Sequence, residues 1–102
     1  MPFGPNYYRA YQGWPERLVA HYADLSFDHH CYLRIALDNT FGTRWDTKIR
    51  KPAYQNLSEA QLNSVLRYFR IYFEDRSQLM AHHQSSLNYR TQWKRKQLKF
   101  AL

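Results

Sequence analysis

Glycine, proline and cysteine are scarce in this chain, which has three, four and one of them in 102 residues. So few turn formers count against an all-β fold, whose many short strands meet at glycine- and proline-rich turns. They also count against a low-complexity disordered chain. A single cysteine excludes an internal disulfide framework, and Cys31 fits a reducing compartment. No window approaches the about 20 apolar residues in a row that a membrane-spanning helix needs. The opening MPFGPNYYRAYQG has no basic stretch followed by an apolar run, so it does not read as a secretory signal. The expectation is a soluble cytoplasmic protein. Also missing are GxSxG, a P-loop and GxGxxG, which leaves no nucleophile elbow and no glycine cradle for phosphate. No cofactor is expected.

The last absence is acid. Nothing after Asp75 is acidic, while Arg76, Arg90, Lys94, Arg95, Lys96 and Lys99 follow it. Residues 1–50 hold six Arg/Lys against five Asp/Glu, and residues 51–102 hold nine against three. The net charge of +7 therefore belongs almost wholly to the second half. A field of one sign attracts polyanions, whether nucleic acid, an acidic protein or an anionic surface.

What the chain has in quantity is aromatic side chains: nine Tyr, six Phe and three Trp. They carry large apolar areas, and at this length one core suffices without metals or disulfides. The pattern is that of an all-α, small single-domain bundle of three to four helices. Residues 1–13 are a tyrosine-rich lead-in with a loose helical turn at Asn6–Gln12. Pro15 and Glu16 signal a helix start, and Leu18, Val19, Tyr22 and Leu25 carry it over about 15–24. Ser26 is placed to cap a helix over about 27–41, with Gly42 at its left-handed end. Its apolar rows are Phe27, Cys31, Ile35 and Leu33, Leu37, Phe41, which make it the central helix.

Residues 43–56 show no helical period and read as an extended connection, with a strand-like piece at Trp45–Ile49. Ser58 and Gln61 form a capping box, with Leu57 and Leu62 as its hydrophobic staple. The stripe that follows allows one helix over about 59–90, or two separated by the second cap signal at Asp75. Residues 88–102 are a basic extension, a helix or a tail that orders on binding, anchored by Trp93, Leu98 and Phe100–Leu102.

Three constellations bear on chemistry. His29-His30-Cys31 and His82-His83 look like metal runs, but adjacent helical side chains diverge by about 100°. A zinc set across two packed helices would draw on Cys31 or His30 with His83 and His21, and the spacing is not that of a built site. Cys31 itself falls on an apolar row, where cysteine behaves as a small hydrophobe. The second constellation is a polar line at i, i+4, i+8: His30, Arg34 and Asp38. As an active site, His30 would move a proton and Arg34 would bind an anion. As structure, Arg34 and Asp38 form an ion pair that selects helix packing, and this reading is preferred.

The third is basic residues interleaved with aromatics in two segments, Arg44, Trp45, Lys48, Arg50, Lys51 and Arg90, Trp93, Lys94, Arg95, Lys96, Lys99. Cations neutralise phosphates, and aromatic faces stack on unpaired bases. The expected activity is that of a non-enzymatic binding module for nucleic acid. The alternative is an adaptor or inhibitor on an acidic protein, and an enzyme or ligand site on the His30/Arg34/Asp38 face ranks below both.

Overall fold

The computed structural model describes residues 5–101, with side chains from Asn6 to Leu98. Five helices follow one another: α1 (Pro5–His21), α2 (His29–Phe41), α3 (Ala53–Asn56), α4 (Glu59–Glu74) and α5 (Arg76–Ala101). A single 3₁₀ turn, Trp45–Thr47, lies between α2 and α3. The fold is all-α, and no strand occurs among the described residues. No described helix is long and apolar enough to cross a membrane.

α2 is the central element, packed against α1, α4, α5 and the 3₁₀ turn. Its Tyr32, Ile35, Ala36 and Leu37 are buried against Leu18 and Tyr22 of α1, Leu62, Val65, Phe69 and Tyr72 of α4, and Leu79 of α5. Leu57 and Tyr54 belong to the same core.

Several local features follow the sequence signals. The Ser58 box is complete: Gln61 N–H donates to Ser58 Oγ (3.1 Å) and Ser58 N–H to Gln61 Oε1 (2.8 Å). Leu57 and Leu62 are both buried beside it. Gly42 ends α2 in the left-handed region, at φ 67°, where a side chain would be strained. The stripe after residue 59 is two helices. Asp75 interrupts it in extended backbone (φ −139°, ψ 98°), and its carboxylate accepts the Gln78 N–H at 3.1 Å.

Other expectations are corrected. The lead-in and the 15–24 helix are one helix, with Pro15 inside it rather than at its start. Pro15 deprives the Tyr11 carbonyl of its usual donor, but its ring is fully buried, and that apolar burial offsets the lost bond. α2 begins at His29, not Phe27. Its cap is Asp28, whose carboxylate accepts the Cys31 N–H at 2.9 Å, in place of Ser26. Cys31 is only half-buried, off the core row assigned to it. The 43–56 connection is not extended throughout and has no strand-like piece, since it holds the 3₁₀ turn and α3. The basic extension is helical without a break through Ala101. Leu102, the side chains of Lys99 and of the proposed anchor Phe100, and residues 1–4 of the lead-in lie outside what the structure describes.

Candidate functional site

The polar line on α2 does not work as a line. His30 is exposed at the first turn, Arg34 is half-buried, and Asp38 is wholly buried. Arg34 and Asp38 do not pair. Asp38 instead accepts four hydrogen bonds, from Ser86 Oγ (2.6 Å), Arg90 Nε (2.8 Å) and Nη2 (3.2 Å), and the Trp45 N–H (3.0 Å). The expected Arg34–Asp38 ion pair is thus replaced by Arg90–Asp38. A guanidinium from a facing helix offers both forks to the carboxylate, which a neighbour one turn away on α2 does not.

Arg34 reaches past it to Ser86 Oγ and His83 Nδ1, each at 3.2 Å. Arginine only donates, so His83 Nδ1 accepts and its ring proton sits on Nε2. Burial, with the Arg34 charge added, pushes the His83 pKa below its ordinary value, which keeps the ring neutral.

This seam has a simple origin in the sequence. Arg34 and Asp38 are one turn apart on α2, and His83, Ser86 and Arg90 follow at i, i+3, i+7 on α5, so two polar stripes meet in register. Ser86, small and fully buried, lets the helices approach and bridges the two stripes. Ser86 carried no role in the sequence reading and His83 only that of a metal candidate, although the 83–86–90 stripe was the signal available for the seam. Beside it, Tyr72 Oη and His82 Nδ1 lie 2.6 Å apart, and Asn39 Nδ2 donates to the Ile35 and His82 carbonyls. With its carboxylate saturated, Asp38 cannot serve as a catalytic base, and the three residues of the line do not converge on one point.

The metal candidates are dispersed too. His21 stacks on Phe73, His83 belongs to the seam, and His30 is exposed. Among the described residues no three His, Cys, Asp or Glu side chains form a group able to hold a metal ion.

The two basic segments, by contrast, come together. The Arg44 guanidinium lies over the Trp93 ring, 4.4 Å from its centroid. Asp38 fixes both sides of this junction, holding Arg90 of α5 and the Trp45 amide that opens the 3₁₀ turn. Arg44 is itself held by Asp46 through Nε (2.7 Å) and Nη2 (3.0 Å), and that hydrogen bonding draws the Asp46 carboxyl below its ordinary pKa. Lys51 stands 4.0 Å from the same carboxylate. Trp45 is half-buried against the core.

Set against protein families, curated proteins and solved structures, the chain matches none of them. Its function has to be read from the chemistry of this face.

Sorting the cations by partner divides them sharply. Arg90, Arg44 and Arg76 are committed to Asp38, Asp46 and Asp24. Lys48, Arg50, Lys94, Arg95 and Lys96 are exposed, and none has a salt-bridge partner among the described residues. Trp93 is half-buried with Arg44 over it, so the exposed stacking surface expected there is occupied. Its contact with Arg44 is also the last polar or ring contact of α5 with the rest of the described molecule. Beyond it the helix runs on through Ala101, roughly 12 Å at 1.5 Å per residue. Sequence reasoning passed over one further basic patch. Arg67 and Arg70 of α4 flank Trp14, and Arg17 lies 4.2 Å from the centroid of that ring.

Proposed function

We propose that the protein binds nucleic acid, as a duplex, through the projecting end of α5 and the adjacent 48–51 segment. One observation carries this reading: the two basic segments meet at Arg44 and Trp93, and Lys48, Arg50, Lys94, Arg95 and Lys96 have no carboxylate partner among the described residues. Lys94, Arg95 and Lys96 are consecutive, so on a helix they point about 100° apart and ring the end of α5. A flat partner meets one or two of them. A helix lying in a major groove, about 12 Å wide, has phosphates on both walls and meets all three. Lys48 and Arg50 would then reach the backbone beside the groove. Arg44 over Trp93 disfavours the stacking that single strands use.

The test is binding of a random-sequence 20-mer as duplex and as single strand at low and physiological salt. The expected result is duplex preferred over single strand, with affinity falling steeply as salt rises. No binding of either at low salt would reject the reading.

An acidic protein partner remains the second reading, and α5 gives it one specific support. Met80 and Leu87, each 39% exposed, and Leu98, 61% exposed, are spaced by seven and eleven residues, so they lie on one side of the helix. Salt-resistant capture of an acidic helical peptide, with no duplex binding, is the outcome that favours it.

A further inference from the structure

A groove of about 630 Å³ opens between α1, α2, the 45–53 segment and α5. Its apolar surface comes from Leu33, Leu37, Trp45 and Ala53, and its polar surface is mainly cationic: Arg34, Arg90 and Lys51. The volume lies within the range of small-molecule sites, which pair an apolar lining with a few polar groups.

Arg34 is the group that needs explaining. It is half-buried, yet its partners within the protein, Ser86 Oγ and His83 Nδ1, are both uncharged, and no carboxylate pairs with it among the described residues. The nearest candidate on its own helix, Asp38, is saturated by four other donors. A guanidinium taken partly out of water is best compensated by an anion. Arg90 spends Nε and Nη2 on Asp38, and its Nη1 makes no hydrogen bond among the described residues. The carboxylate on the groove wall, Asp28, opposes an anion, but it is committed to capping α2 through the Cys31 N–H.

We propose that this groove is a binding site for a small organic anion, a carboxylate or phosphate monoester on a flat apolar body, with Arg34 as its principal contact. Lys51 closes over the anionic head from the loop, and Trp45 with Leu33 and Leu37 receives the apolar body. The site shares only Lys51 with the proposed duplex-binding face and uses none of Lys94, Arg95 or Lys96.

Cys31 also lines the groove and is the only cysteine in the chain, so its alkylation rate reports occupancy. The probes are benzoate and phenyl phosphate, with benzyl alcohol as the uncharged control and inorganic phosphate as the control without an apolar body. At least one organic anion should slow iodoacetamide labelling in a saturable way, and which one does so identifies the head group. Both controls should leave the rate unchanged.

Arg34→Gln should weaken protection about tenfold or more, the usual scale for a lost charged hydrogen bond. Lys51→Gln changes an exposed side chain, keeps the fold intact and should weaken protection about threefold, a fraction of that scale. The Lys94/Arg95/Lys96→Gln protein should be protected as well as the parent. The proposal is overturned if neither anion outperforms benzyl alcohol, or if inorganic phosphate protects as well as phenyl phosphate. It is equally overturned by unchanged protection in folded Arg34→Gln or in Lys51→Gln, or by loss of protection in the triple variant.

Discussion

The two ends of α5 carry the same kind of residue to opposite ends. From Arg76 to Arg90 the helix lies against α2 and α4, and each of its arginines is spent on a carboxylate. Arg76 takes Asp24 (3.0 and 2.6 Å) and Arg90 takes Asp38. Lys94, Arg95 and Lys96 have no salt-bridge partner among the described residues. The difference teaches that a count of basic residues is not a count of available charge. Asp24, Asp38 and Asp46 each hold an arginine and Asp28 caps α2, and the longest run of cations without such a partner is Lys94, Arg95 and Lys96.

The comparison breaks most visibly at Arg90. Arg90→Ala strands a wholly buried carboxylate with only Ser86 and the Trp45 amide, and should cost about 3–5 kcal/mol in urea or guanidinium unfolding. Asp38→Ala should cost less, because Arg90 is 28% exposed and can turn its charge to water. If the two substitutions cost the same, the asymmetry of the pair is wrong. A double substitution of both by apolar residues should cost less than the two single changes added together.

Arg44→Ala comes next. It removes a mostly buried ion pair and the cover of Trp93, with an expected loss of about 1 kcal/mol. A rise in the accessibility of Trp93 to a fluorescence quencher, without unfolding, checks the second part.

A third effect is pH-dependent. Burial holds His82 and His83 below their ordinary value of 6.5 in the folded protein. Near pH 6 the unfolded chain therefore binds more protons than the folded one, and stability should fall as the pH drops through 6.5. Denaturation midpoints at pH 7.5 and 5.5 check this, and His82→Gln and His83→Gln should each flatten the dependence. The carboxyls held low by arginine, Asp24 and Asp46, lose their contribution only in a separate, more acidic window, below their ordinary 3.8. The smallest effect on stability belongs to the other end of α5: Lys94/Arg95/Lys96→Gln should stay within about 0.5 kcal/mol of the parent.

Local signals in the sequence were legible at most helix ends that a nearby side chain or glycine satisfies. Ser58 with Gln61, Gly42 and Asp75 each act within a few residues, so their chemistry is visible in the string. Pro15 misled because a proline at a helix start and a proline buried inside a helix differ only in what packs around the ring, and that is set by other helices. Asp28 rather than Ser26 is the cap because α2 starts at His29, directly after it, and its charge suits the positive helix end. The partner of Asp38 was not legible at all. Arg34 and Arg90 are equally good arginines, and only the register of α5 on α2 selects between them. The 43–56 segment failed for the same reason, since its turn is fixed by Asp38 accepting the Trp45 amide from outside the segment.

The claim that the surplus charge at the end of α5 is functional is tested most directly by the salt dependence of duplex binding. Log affinity should fall linearly with log salt for the parent, and Lys94/Arg95/Lys96→Gln should reduce that slope by about 2.7 if all three residues contact phosphate. Binding with the same slope and affinity in the variant would contradict the account.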